Sequence, residues 1–210
     1  MTLLHALRQR RSDAAASPDV WIVVGLGNPG PEYAATRHNV GYLVCDLMAE
    51  RLGVSLRAHR SRRADVAEGR LGALAEAVRV VAARPRSYMN HSGGAVSALL
   101  AYYKVPAQRL VVVHDELDLP FGTLRVKYDG GDNGHNGLKS IRSSLGTGSY
   151  HRVRIGIGRP PESRSAADFV LQRFSAAERR DLPGVADTAA NAVESLLLRG
   201  LTMTQSDYNG

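Results

Sequence analysis

His38, Asp115 and the asparagines Asn28, Asn90 and Asn136 are the side chains whose types could do chemistry together. His38 follows the turn "GLGNPGPEYAATRH" and opens a helical pattern. Asp115 closes the hydrophobic run "RLVVVHDE", and each asparagine lies in or beside a loop rich in glycine or followed by it. An imidazole, with an ordinary pKa of about 6.5, can take a proton from water near neutral pH when a carboxylate fixes its tautomer and stabilises the imidazolium. That is water activation without a covalent intermediate. Neutral amides complement it, because they grip the carbonyl and N–H groups of a peptide-like substrate while ignoring its side chains. The substrate would be amide-rich and variable. Taken singly, each residue also has a structural role open to it: Asn28 can cap a turn, Asn90 a helix, and a buried histidine usually satisfies a hydrogen bond.

Other chemistries find less support. No G-x-S-x-G elbow occurs, and Cys45 lies between Val44 and Leu47 on an apolar helix, the setting of a core thiol. "VVVHDE" imitates the strand of an NTPase, but no G-x-x-x-x-G-K-[ST] accompanies it. Asp115, Glu116 and Asp118 are followed by Leu119-Pro120, and a strand end of that kind does not easily turn all three carboxylates toward one cation, so no metal is expected. Gly25-x-Gly27-x-x-Gly30 has the spacing of a dinucleotide-binding turn. Pro29 and Pro31 bracket its third glycine, however, and the acidic residue at the right distance, Asp46, falls inside a helix.

The chain has 210 residues, 44% of them hydrophobic, enough for one sizeable core and few for two. A net charge of +7 suits a polyanionic partner, although a basic enzyme with no nucleic-acid partner has the same balance. The single cysteine makes no internal disulfide, and no apolar run reaches the roughly eighteen residues of a spanning helix, which points to the cytoplasm. Residues 1–18, with Arg8, Arg10 and Arg11, read as a disordered basic tail; 19–200 read as one α/β domain and 201–210 as a C-terminal tail.

Strands are expected over Val20–Leu26, Ala64–Leu71, Ala75–Ala83, the "RLVVVHDE" run, "TLRVKY" and "HRVRIGIG". Helices are expected from near Arg37 to Gly53, from near Asn90 to Lys104, and after the glycine-rich loop "DGGDNGHNG". Ser175-x-x-Glu178 forms a capping box, and Pro183 should break the helical region that follows, leaving the longer helix to run from there to Arg199. Strands alternating with helices make an α/β sandwich, whose site is sought at the carboxyl ends of the strands.

Five segments, "VVGLGNPGPEYAATRHNVG", "RPRSYMNHSGG", "VVVHDELDLPFG", "GGDNGHNGLKSI" and "HRVRIGIGRPP", resemble in order the signature segments of bacterial-type peptidyl-tRNA hydrolases. The resemblance runs from about Trp21 to about Leu197. It implies a single-domain three-layer αβα sandwich around a mixed, twisted sheet, and hydrolysis of the ester joining a peptide to the 3′-terminal adenosine of tRNA. No cofactor is implied. In such enzymes the histidine matching His38 is the general base and the aspartate matching Asp115 orients it. Residues matching Asn28, Asn90 and Asn136 position the peptide, the water and the developing oxyanion. Tyr33 matches an aromatic at the terminal nucleotide, Met89 a groove position, and His135 belongs with Asn136 among the substrate-binding residues. Lys127 and Arg154 match a pair that grips the 5′-phosphate. The partner implied is peptidyl-tRNA, through its acceptor stem and 3′ CCA end, bound by a monomer. The chain departs from the family pattern at Asn133, where many relatives have glycine, and in "KYDGGD". A non-catalytic RNA-binding module of the same fold is the alternative reading.

Overall fold

The computed structural model describes residues 20–73, 77–160 and 165–210, so the basic tail expected over 1–18 lies outside the described residues. The buried strand β1 (Val20–Gly25) leads through a turn and a 3-10 segment (Arg37–Asn39) into α1 (Val40–Arg51). A meander of β2 (Arg57–Ala58), β3 (Ala64–Leu71) and β4 (Val78–Pro85) follows, then a second 3-10 segment (Met89–His91) that opens α2 (Ser92–Tyr103). The chain continues through β5 (Leu110–Glu116), β6 (Leu124–Tyr128), α3 (Asn136–Leu145) and β7 (His151–Gly156). It ends with α4 (Ala166–Val170), α5 (Ala176–Arg199) and α6 (Leu201–Tyr208).

The strands form one mixed sheet in the order β2-β3-β4-β1-β5-β7-β6. Its centre, β4-β1-β5-β7, is parallel, and both margins are antiparallel. Side chains alternate across each strand. Val23, Val111, Val113 and Val153 therefore pack against α1 and α5, whereas Ile22, Val24, Leu110 and Val112 pack against α2 and α3. Two apolar layers over one sheet give the expected three-layer sandwich.

The opening glycines have a packing role. A Cβ on Gly25 would lie 2.0 Å from the carbonyl oxygen of Gly41, and one on Gly41 would lie 2.4 Å from that of Val113. The missing side chains let α1 settle directly on the ends of β1 and β5. Gly25-x-Gly27-x-x-Gly30 is thus a strand–helix contact and a turn, with Gly30 at φ 113°.

Two expectations are corrected. Pro183 does not break the helix: α5 runs unbroken from Ala176 to Arg199, started by the reciprocal Ser175–Glu178 capping box. The proline is on the exposed side, so the carbonyl it leaves unpaired one turn earlier can be hydrated. The last ten residues, read as a tail, form α6, which packs on the marginal strand β6. Asn209 accepts from the backbone N–H of Val126 at 2.7 Å and donates to its carbonyl at 2.8 Å, covering an edge that would otherwise be open.

Candidate active site

Register does the first part of the positioning. Val24 of β1 lies beside Val112 of β5 and Gly25 beside Val113, so the turn after β1 and the acidic end of β5 emerge at the same carboxyl edge. There His38 Nδ1 lies 2.9 Å from both oxygens of Asp115, and His135 Nε2 lies 3.0 Å from Oδ1 of the same carboxylate. Asp115 and His38 are buried, at 3% and 7% exposure. Burial pushes the Asp115 carboxyl upward, but the two histidines beside it win and hold it well below the usual carboxylate range.

An ionised carboxylate only accepts hydrogen bonds, and that assigns the protons. His38 must donate from Nδ1, which leaves the lone pair on Nε2 for a water molecule. His135 is fixed from its other side. As the N-cap of α3, its Nδ1 accepts the backbone N–H groups of Gly137 and Leu138 at 3.1 and 3.4 Å, so its proton sits on Nε2 and points at Asp115. His38, Asp115 and His135 offer ligand atoms within 4.8 Å of one another, as a metal site would. The proton count opposes that use, because His135 Nε2 has no lone pair to give while the helix amides hold Nδ1. His114, on the opposite face of β5, donates from Nδ1 to the carbonyl of Asp115 at 2.7 Å. Burial, and then the neighbouring His135, hold it well below the ordinary histidine value.

Asn28 is held in two directions. Asn39 Oδ1 accepts its backbone N–H and Asn39 Nδ2 donates to its carbonyl, both at 2.9 Å, an amide clasp that mimics a strand pair. The Asn28 side-chain oxygen accepts the backbone N–H of Met89 at 2.8 Å, which leaves the side-chain amino group as the donor available to a substrate carbonyl. Met89 itself is 4% exposed and packs in the core beside Leu26 and Leu138, where it supports the site from beneath. Asn90 is exposed on the 3-10 segment beside it, and Tyr33 meets the exposed Tyr88 edge-on with ring centres 6.1 Å apart.

The structure gathers His38, Asp115, His135 and Asn136 around one cavity of about 300 Å³, whose apolar wall is made by Leu117, Ala166, Ala167 and Val170. Lys127 and Arg154 lie elsewhere, on the β6–β7 margin. Lys127 stands opposite Arg152 in register and Arg125 opposite Arg154, so the four cations share a face. Burial, and then Arg152 and Arg154, lower the ordinary lysine value of Lys127. Arg154 Nε donates to the buried Glu116 at 2.9 Å. Asn133, at φ 48°, donates to Glu116 at 2.8 Å and to Asp118 at 2.7 Å; asparagine tolerates this left-handed backbone better than most residues and adds a tie that glycine lacks. Cys45 is buried, accepts from Gly25 N–H, and is pushed up to about 12 by burial, as befits a core thiol.

This geometry sits on a chain with clear relatives. A family model described as peptidyl-tRNA hydrolase matches residues 22–210. The chain belongs to the peptidyl-tRNA hydrolase family. It is 57% identical over 190 residues to a peptidyl-tRNA hydrolase of Streptomyces coelicolor, covering 90% of this chain and 94% of that one. The corresponding protein of Frankia alni is 58% identical over 189 residues, covering 90% and 93%. The crystal structure of peptidyl-tRNA hydrolase from Acinetobacter baumannii superposes with a TM-score of 0.80 at 33% identity, covering 92% of this chain and 96% of that one. The sandwich is therefore the family fold.

Some residues that build the site carry no chemical signature. Asn39 follows His38 in "RHN" yet reads as an ordinary helix start. Arg37 is buried, pairs with Glu178 at 2.9 Å, and lies 4.6 and 4.9 Å from the ring centres of Phe169 and Phe174. It pins the histidine-bearing segment to the start of α5. Only the adjacency of an arginine and an asparagine to His38 could have drawn notice.

Proposed function

We propose that this chain hydrolyses the ester between a peptide and the 3′-terminal adenosine of tRNA, with His38 as general base. The observation that carries the mechanism is the pair of 2.9 Å contacts from His38 Nδ1 to a carboxylate that stays ionised. His38 Nε2 takes a proton from water as the water oxygen attacks the ester carbonyl carbon. The charge that develops on the carbonyl oxygen is met by amide donors, Asn28 Nδ2 first among them, together with Asn136 at the start of α3. Collapse breaks the carbon–oxygen bond to the ribose, and the imidazolium returns its proton to the departing 3′-oxygen. Asn90 and Tyr33 contact the peptide and the terminal nucleotide. The reaction needs no cofactor or metal and is carried out by a monomer in the cytoplasm. Purified protein should release free tRNA and N-acyl amino acid from an N-acylated aminoacyl-tRNA, with EDTA leaving the rate unchanged. Binding without cleavage would instead favour the RNA-binding module.

Lys127 and Arg154 form the clamp for the 5′-phosphate. Burial, and then the repulsion of Arg152 and Arg154, lower Lys127, and an arriving anion would offset that repulsion. Hydrogen bonds to charged groups are worth about 1.5–3 kcal/mol, so removing the terminal phosphate should cut kcat/KM about tenfold to a hundredfold. The same change should scarcely affect Lys127→Ala/Arg154→Ala. Measuring both proteins on phosphorylated and dephosphorylated substrate at one salt concentration decides the matter, since strictly additive losses leave only a diffuse basic surface.

A further inference from the structure

A second basic cleft lies outside the catalytic cavity, where the β2–β3 turn meets the start of α2. Arg62, Arg63, Arg86, Ser87 and His91 line it, with Gly94 and Ala95 as its floor, around a cavity of about 290 Å³. No acidic side chain is among the lining residues. The three arginines and His91 are exposed. Among the described residues the Arg62 side chain has no hydrogen-bond or ion-pair partner, the Arg63 side chain reaches only the carbonyl of Gly94, at 3.3 Å, and the Arg86 side chain has one loose contact with Asp65, at 3.7 Å. Their charges are largely uncompensated.

Two further observations show what the cleft lacks. The Ser87 hydroxyl is buried with no hydrogen-bond partner, an unfavourable state that a bound acceptor would relieve. The first turn of α2 has no acidic residue and no cap from the His91 side chain, so, although Ser92 N–H meets the carbonyl of Met89 and Gly93 N–H the hydroxyl of Ser140, no negative charge answers the positive end of its dipole. The hairpin is held in place by backbone bonds from Arg62 N–H to His59 and from Arg86 N–H to Arg63, so the arginines are presented on an ordered turn. The exposed guanidinium groups and the unpaired Ser87 hydroxyl together suit a small, multiply accepting anion.

We infer that this cleft is a phosphate subsite for an RNA strand, separate from the Lys127–Arg154 margin. The choice of phosphate over an acidic peptide side chain follows from the substrate class and rests on the proposed function in that respect alone. A fixed anion site serves the invariant part of peptidyl-tRNA, its phosphates, whereas the peptide varies. The cleft also adjoins Tyr88, which follows Ser87 directly, is 54% exposed and is braced edge-on by Tyr33. A cationic groove beside an exposed aromatic ring is the arrangement that single-stranded nucleic acid uses, phosphate on the cations and base on the ring.

The test is the affinity of the full chain for deacylated tRNA over a range of salt concentrations. It involves no turnover, so a failure of hydrolysis would leave it readable. Arg62→Ala/Arg63→Ala should weaken binding about tenfold at low salt and reduce the slope of log K against log salt by about one unit. Arg62→Lys/Arg63→Lys should restore most of the slope, and Ser87→Ala should weaken binding without changing it. The control is Arg57→Ala/Arg60→Ala, two exposed arginines of the same hairpin that do not line the cleft. An unchanged slope in the Arg62/Arg63 variant, or an equal loss in the control, overturns the subsite. A loss confined to substrates carrying acidic peptides would overturn it too, and give the cleft to the peptide.

Discussion

His38→Ala is expected to lower kcat by roughly 10²–10⁴ while leaving tRNA affinity essentially unchanged, because a positioned general base is worth about that much. The size follows from the exclusivity of its position. Of the three histidines gathered here, His38 alone has a ring nitrogen with a free lone pair on the cavity side. His135 spends Nδ1 on the amides of α3 and Nε2 on Asp115, and His114 is buried on the far face of β5. His135→Ala and His114→Ala should therefore cost less activity. His135→Ala should also cost about 1 kcal/mol of stability through the lost helix cap. Single-turnover hydrolysis of an N-acylated aminoacyl-tRNA, paired with a binding measurement, separates chemistry from affinity. Near-normal turnover by His38→Ala would sink the assignment, and a larger loss in His135→Ala would transfer it.

What could be read in the sequence was the inventory and the order of elements. Hydrophobic runs with β-branched residues gave β1 and β5, and a 3.6-residue period gave α1 and α2. The pairing of His38 with Asp115 was another matter. The residues are 77 apart, and only the parallel neighbourhood of β1 and β5 brings them together. From spacing alone nothing couples them; the family resemblance did. Pro183 shows the opposite failure, where a sound local rule lost to context: its propensity cost is offset by a capping box and by the buried face from Ala186 to Leu197. Asn39 and Arg37 were illegible because their roles are tertiary, one holding the backbone of Asn28 and the other pairing with Glu178, whose capping role alone could be read, and neither lines the cavity. Met89 had two open readings, groove and core, and is 4% exposed in the apolar cluster that includes Leu26 and Leu138. Lys127 and Arg154 were legible only through the family resemblance. That Arg154 shares Glu116 with Asn133 is a tertiary arrangement that no spacing reveals.

Asp115→Asn should reduce kcat on the order of 10⁴, near the upper end of the loss expected for His38→Ala, although the replaced atom never touches substrate. The carboxylate places an oxygen 2.9 Å from His38 Nδ1 on each branch, and Oδ1 also receives His135 Nε2. An asparagine keeps one oxygen and turns the other branch into a donor. If its oxygen stays with His135, the amino group faces His38, whose ring must then present a lone pair at Nδ1 and carry its proton on Nε2, where no base remains. If the oxygen turns to His38, the donor conflict moves to His135 and strains the cap of α3. Loss of the anion has a second consequence. The transition state, in which His38 takes on the proton of the water, loses its facing anion, so the chemical step slows even where the tautomer is right. Stability should fall as well. A carboxyl held below its ordinary value contributes stability that is fully present above about pH 4 and is lost as pH falls through the lowered value. Asp115→Asn should thus melt below wild type at neutral pH, with the gap closing in strong acid. A purely structural aspartate would show the melting difference alone, with kcat near that of wild type, and that combination of measurements would reject its role in orienting the base.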